Sequence, residues 1–163
     1  MQIFVLGMHR SGTSAVTRVL GLLGVHLGNP SEMNPTDDGN PRGYWERREV
    51  LALDEEILAA LEASWCEPLP ADPARLRARD RASFEKWAAS IVSALDAHRP
   101  WALKDPRFCL LFPLWKAVLT APLCILVHRD PLEVARSMKT RNGFPLPLGL
   151  GDKSMAEVVA SRS

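Results

Sequence analysis

Apolar residues fall into short runs and helical stripes that alternate along the chain. Ile3 to Leu6 is an apolar run ending at Gly7, the pattern of a strand buried on both faces of a parallel sheet. Ser14 to Leu23 carries Val16, Val19, Leu20 and Leu23 on one face, with Gly24 after its end, and reads as a helix. Residues 25–43 hold many Gly, Pro, Asn and Asp and read as a loop. A helix is predicted over about residues 46–63 on Leu51, Ile57, Leu58 and Leu61. After the Pro-rich break at 68–73, Leu76, Phe84, Trp87, Ile91 and Leu95 mark a second long helix.

Two later segments repeat one design. Trp101 to Lys104 reads as a strand, followed by Asp105-Pro106 and a helix through Leu119; Leu123 to Val127 reads as another, followed by Asp130-Pro131 and a helix. In both, Asp suits the N-cap and Pro the first helical position. Glu133 stands where a capping box needs it, and Asn142-Gly143 offers a stop. The order strand, helices, strand, helix, strand, helix predicts an α/β fold: a parallel sheet flanked by helices in three layers, like that of P-loop nucleotide-binding proteins.

Composition narrows the class. The chain has 163 residues, 47% hydrophobic and 24% charged, which fits one globular domain over residues 1–163. The net charge is +1, so nothing global points to nucleic acid or a membrane surface, and an anion site must be built locally. The apolar runs are strand-length and predict neither an export signal nor a membrane span. Three cysteines at irregular spacing (Cys66, Cys109, Cys124) suggest no metal site or disulfide framework and fit a reducing cytoplasm.

The candidate chemistry begins at Gly7-Met8-His9-Arg10-Ser11-Gly12-Thr13-Ser14, between the first strand and the first helix. It has the G-x-x-x-x-G frame of a phosphate loop, whose backbone N–H groups and helix N-terminus favour anions. The expected Lys is replaced by Thr13, and the cation stands inside the loop as Arg10, which can bridge two anionic oxygens. A kinase would also need Mg²⁺ on an acidic residue at a second strand end. Asp130 has that place but lies between Arg129 and Pro131, where capping is its expected job, so no metal is expected. A transferred sulfuryl group carries less charge than a phosphoryl group and is served by hydrogen bonds and cations. The alternatives are a metal-dependent kinase with a degenerate loop and a non-catalytic module that keeps only the binding site.

His9-Arg10-Ser11-Gly12-Thr13-Ser14 resembles the 5′-phosphosulfate loop of sulfotransferases, in the variant with Arg in place of Lys. His128-Arg129-Asp130-Pro131-Leu132-Glu133-Val134-Ala135-Arg136-Ser137 resembles that family's 3′-phosphate motif, where an Arg ends a strand and a Ser follows eight residues later. Leu103-Lys104-Asp105-Pro106-Arg107 resembles a stretch of tyrosylprotein and carbohydrate sulfotransferases whose Lys assists the leaving phosphate. The resemblance implies 3′-phosphoadenosine 5′-phosphosulfate as donor, bound by His9 through Ser14 together with Arg129 and Ser137. It implies that Arg10 and Lys104 stabilise charge in the transfer, with Arg107 a further contact or a residue of the helix's first turn.

Transfer to a hydroxyl also needs a base within hydrogen-bond reach. Related families place a Glu or His beyond the first helix, where this chain has Tyr44-Trp45-Glu46. Glu46 is the leading candidate, Glu32 the second, with His9 and His26 behind, while His128 reads as a strand-end residue near the adenosine. Tyr44, Trp45 and Trp65 can stack on a sugar or simply pack. The acceptor is expected to be a carbohydrate, glycolipid or small metabolite. The family normally continues past the second motif, so a fragment, or completion by a second copy or a complementing chain along an open sheet edge, is expected.

Overall fold

The computed structural model describes residues 1–37, 40–68 and 71–139. The expected stop at Asn142-Gly143 and the Gly/Pro-rich stretch 143–152 lie outside the described residues. Among the described residues, three parallel strands form one sheet in the order β2-β1-β3: β1 is Gln2–Leu6, β2 Trp101–Lys104 and β3 Pro122–Leu126. Helices α1 (Thr13–Leu22), α2 (Arg48–Ala60), α3 (Ala78–Asp96), α4 (Phe108–Lys116) and α5 (Pro131–Lys139) flank it. The α/β arrangement is the one predicted from the order of elements.

β1 is central and buried nearly throughout, as its unbroken apolar run requires. Phe4 packs in an aromatic cluster, its ring centroid 5.9 Å from Trp101, 5.0 Å from Phe108 and 6.0 Å from Trp115. Leu53, Ile57 and Leu58 of α2 and Ile91, Val92 and Leu95 of α3 join the same core. The register sets Val5 beside both Lys104 and Ile125, so all three strands end along one edge of the sheet.

Several boundaries differ from the sequence pattern, each for a local reason. The helix expected from residue 46 starts at Arg48, because Trp45 has a left-handed φ of 58° and Arg47 is extended. Arg47 is bridged to Met33, and Asn34 N–H bonds the Glu46 carbonyl at 2.7 Å, so this stretch is held straight. The helix expected directly after Asp105-Pro106 starts at Phe108, since the Asp105 carboxylate accepts the Arg107 N–H at 2.8 Å and closes a turn first. It ends at Lys116 rather than Leu119, with Pro113 inside it. Asp130 does cap α5, accepting the N–H groups of Leu132 at 2.9 Å and Glu133 at 3.1 Å, with Pro131 as first helical residue.

The apolar face expected of α1 points mostly outward. Its buried residues are Thr13 and Thr17, while Val19 is 53% and Leu23 76% exposed. Thr17 enters the interior because its hydroxyl donates to the Thr13 carbonyl at 2.9 Å, which removes the cost of burying it. Likewise β3 is a strand with open faces among the described residues: Leu123, Cys124 and Leu126 are exposed. Among the described residues, no helix is long and apolar enough to cross a membrane.

Asp96 ties the far end of the sheet together. It accepts from Arg99, from the Trp101 indole at 2.8 Å and from the Gln2 amide at 3.2 Å. The Arg99 guanidinium, then the indole and amide N–H groups, hold its carboxyl well below the ordinary carboxylate range against the opposing effect of burial. With the folded value depressed, its stabilisation is full above the unfolded value of about 3.9 and is lost as pH falls below it. Asp96→Asn is therefore expected to flatten the loss of stability below about pH 4, read from denaturant unfolding across that range. An unchanged slope would remove Asp96 from the acid response.

Candidate active site

The loop after β1 is shaped by close approach and by left-handed backbone. A Cβ on Gly7 would lie 2.6 Å from the Val127 carbonyl oxygen and 2.7 Å from Thr13 Cγ2, so only glycine lets β1 leave the sheet beside β3. Arg10 has φ 64° and Gly12, the N-cap of α1, φ 103°. These turns carry the chain over the amino end of α1, the end of a helix that favours anions.

The two sequence motifs meet here. Arg10 donates from Nε to Ser137 Oγ of α5 at 3.1 Å, and Arg129 donates from Nη1 to the Arg10 carbonyl at 3.1 Å. Arg129 is steadied from its other side by Glu133, whose carboxylate accepts Nε at 3.0 Å in place of the expected capping-box contact. Residues 127 positions apart in the chain are thus brought into direct contact.

Lys104 and Glu46 form the other flank. Lys104 leaves the end of β2 and donates to Glu46 Oε1 at 2.5 Å; Asn34 donates to Glu46 Oε2 at 3.1 Å. Both partners are almost fully buried, with side chains 3% and 7% exposed. Either charge alone would be costly there, and each satisfies the other. Glu46 stands two residues ahead of α2 rather than in its first turn.

A cavity of about 820 Å³ joins these parts. Its wall includes His9, Arg10, Gly12, Thr13 and Ser14 of the loop, together with Glu46, Lys104, Arg129 and Ser137. Ser11 does not reach it: its hydroxyl is turned under the loop, beside the Cβ position of Gly7, and lies buried with no hydrogen-bond partner among the described residues. Among the described residues, five cationic side chains (Arg10, Arg18, Arg42, Lys104, Arg129) line the cavity against the one carboxylate of Glu46. A chain of net charge +1 thus concentrates positive potential in one cleft.

Other expected residues lie elsewhere. Glu32 belongs to a short 3₁₀ turn, where it accepts the Asn29 N–H at 2.8 Å and pairs with Arg47 at 3.1 Å. The Asn29 N–H chiefly, with Arg47, holds its carboxyl below the ordinary value. His26 sits at the opposite end of β2, its ring 4.6 Å from that of His98, and burial followed by that neighbour lowers its pKa. His128 is exposed and off the cavity wall. Tyr44 and Trp45 line the wall; Trp65 lies behind it, 5.1 Å from the His9 ring. Among the described residues, no group of three His, Cys, Asp or Glu is arranged to hold a metal ion.

A model of the sulfotransferase family matches residues 2–158, a span that contains every residue of this cleft. The chain belongs to the sulfotransferase family. No curated protein and no solved structure matches it. Sulfuryl transfer is the chemistry of the family, and the cleft of this sulfotransferase has the cationic character such a transfer needs.

Sequence reading missed four residues of this sulfotransferase's site. Arg18 stands four residues after Ser14, and that spacing on α1 would have placed it on the cavity face. Arg42 lies in the loop that leads to Glu46. Asn40 donates to the Gly43 carbonyl at 2.8 Å and shapes the same loop, while Asn34 holds Glu46. The roles of the two asparagines come from loop packing and have no local signature.

Gly7→Ala is expected to destabilise the protein by about 1–3 kcal/mol, because the new methyl meets a backbone carbonyl that cannot give way. Gly12→Ala, whose added Cβ meets nothing within 4 Å, is expected to cost only its strained φ, about 1 kcal/mol. Denaturant titration of both variants checks the order; equal losses would contradict the close approach at Gly7.

Proposed function

We propose that this sulfotransferase takes its sulfuryl group from 3′-phosphoadenosine 5′-phosphosulfate and passes it, without a metal ion, to a hydroxyl of a carbohydrate, glycolipid or small-metabolite acceptor. The observation that carries this reading is a single cleft containing both the Arg10 loop and the Arg129–Ser137 pair. A donor with a phosphosulfate at one end and a phosphate at the other needs two such grips, and a mononucleotide without the 3′-phosphate needs one.

In this reading His9, Arg10, Gly12, Thr13 and Ser14 hold the 5′-phosphosulfate through loop amides, hydroxyls and the Arg10 guanidinium. Ser11 supports the loop from beneath. Arg129 and Ser137 hold the 3′-phosphate. Lys104 and Glu46 neutralise one another until the substrates enter, and each then exchanges its partner. Glu46 accepts the proton of the attacking hydroxyl. Lys104 meets the negative charge that develops on the bridging oxygen as its bond to sulfur breaks. The new S–O bond forms on the acceptor oxygen, and adenosine 3′,5′-bisphosphate leaves. The three free cysteines, Cys66, Cys109 and Cys124, fit a reducing cytoplasm as the setting.

Calorimetric titration with adenosine 3′,5′-bisphosphate, AMP and ATP, with and without magnesium, tests the donor. The bisphosphate is expected to bind most tightly and independently of magnesium; magnesium-dependent preference for ATP would replace this reading with a kinase. Arg129→Ala is expected to weaken the bisphosphate by about 2 kcal/mol, as for a charge-assisted contact, and AMP far less. Equal losses for both ligands would detach Arg129 from the 3′-phosphate.

A further inference from the structure

A second polar cluster lies beside the Lys104–Glu46 pair and takes no part in lining the cavity. Asp54 and Asp105 are fully buried and Arg107 nearly so. Arg107 donates from Nη1 to the Asp105 carboxylate at 3.0 Å and from Nη2 to Glu55 of α2. Its backbone N–H bonds the same Asp105 carboxylate. Next to Glu55, Asp54 accepts the Trp115 indole N–H of α4 at 2.8 Å. Three polar ties therefore join the β2 exit and α4 to α2 and its lead-in: Lys104 to Glu46, Arg107 to Glu55 and Trp115 to Asp54.

As a source of stability this cluster is a poor choice. Buried ion pairs return little net stabilisation once their desolvation is counted. Among the described residues, Asp54 Oδ2 and Arg107 Nε are moreover buried with no hydrogen-bond partner, which is a further cost. Burial, and after it the Asp105 charge, pushes the Asp54 carboxyl well above its ordinary value. What the cluster supplies is direction. Leu53, Ile57, Phe108 and Trp115 pack in one apolar core, but such packing is non-directional. A planar guanidinium fork fixes the angle and distance of both partners. Lys104 directly precedes Asp105, and Glu46 lies two residues ahead of α2, so the fork spans the elements that carry them.

We infer that Arg107 is a positioning residue: its fork onto Asp105 and Glu55 holds the β2 exit against α2 and so sets Lys104 against Glu46. Its consequence for catalysis rests on the sulfuryl-transfer reading above; its consequence for geometry does not. Glu55 is the accessible end of the fork, with a side chain 43% exposed, so substitution there disturbs the interior least.

The test follows the Lys104 ammonium group by ¹⁵N NMR of lysine-labelled protein, assigned by its disappearance in Lys104→Gln. A slowly exchanging ammonium signal is expected in the wild type and in Glu55→Gln, which keeps an oxygen for Arg107. The signal is expected to broaden or vanish in Glu55→Ala and in Arg107→Met, with cooperative unfolding preserved and adenosine 3′,5′-bisphosphate bound within about twofold of wild type. Turnover of 3′-phosphoadenosine 5′-phosphosulfate with water as acceptor should fall about tenfold in Glu55→Ala at unchanged KM, and recover in Glu55→Gln. An unaltered Lys104 signal in Glu55→Ala overturns the inference, as does its loss in Glu55→Gln. If Arg107→Met fails to fold, the two Glu55 variants decide. A wild type that does not bind the bisphosphate, yet shows the expected NMR pattern, refutes the donor assignment and leaves the positioning role intact.

Discussion

The parallel ladder of β1 with both its neighbours is the constraint on which the site depends. Because β2, β1 and β3 run the same way in matched register, their carboxyl ends emerge side by side. Each exit brings a cation to the cleft: Lys104 at the end of β2, Arg10 in the loop after β1 and Arg129 just past β3. Open parallel sheets bind ligands outside these ends, where the chain leaves the sheet and helices begin. An antiparallel neighbour would send its cation to the other edge, and the cleft would lose one of its positive charges.

Like charges gathered in a cleft repel, and the structure answers this by giving these three cations fixed partners. Lys104 is matched by a buried carboxylate, Arg129 by Glu133 on the first turn of α5, and Arg10 is aimed by the Ser137 hydroxyl. These partners neutralise and orient the cations while leaving the cleft positive overall. The positive potential of the cleft is therefore local and arises without any global excess of positive charge.

The same economy of placement shows in α1. Its amino end must sit over the strand exits, which fixes the rotation of the helix before its side chains have a say. Threonines with an internal hydrogen bond then serve as its buried face, while Val19 and Leu22 contribute to the cavity wall. An apolar stripe is evidence of a face that avoids water somewhere; here part of that somewhere is the cleft and not the core.

Local chemistry was legible in the chain itself. Periodicity located the three strands and five helices of the described residues, glycines marked the loop after β1, and Arg10, Arg129 and Ser137 were singled out before their contact was known. These features are encoded within a few residues, where sterics and spacing decide the outcome. Glu46 was recognisable as a carboxylate in the right region, but not that it would meet a lysine 58 residues away, nor that Asn34 would hold it. The burial of Arg107, the turning of Ser11 beneath its loop and the outward face of α1 were equally beyond local pattern. Such contacts arise only when distant segments pack, and their energies depend on burial and angle that no short stretch of sequence specifies.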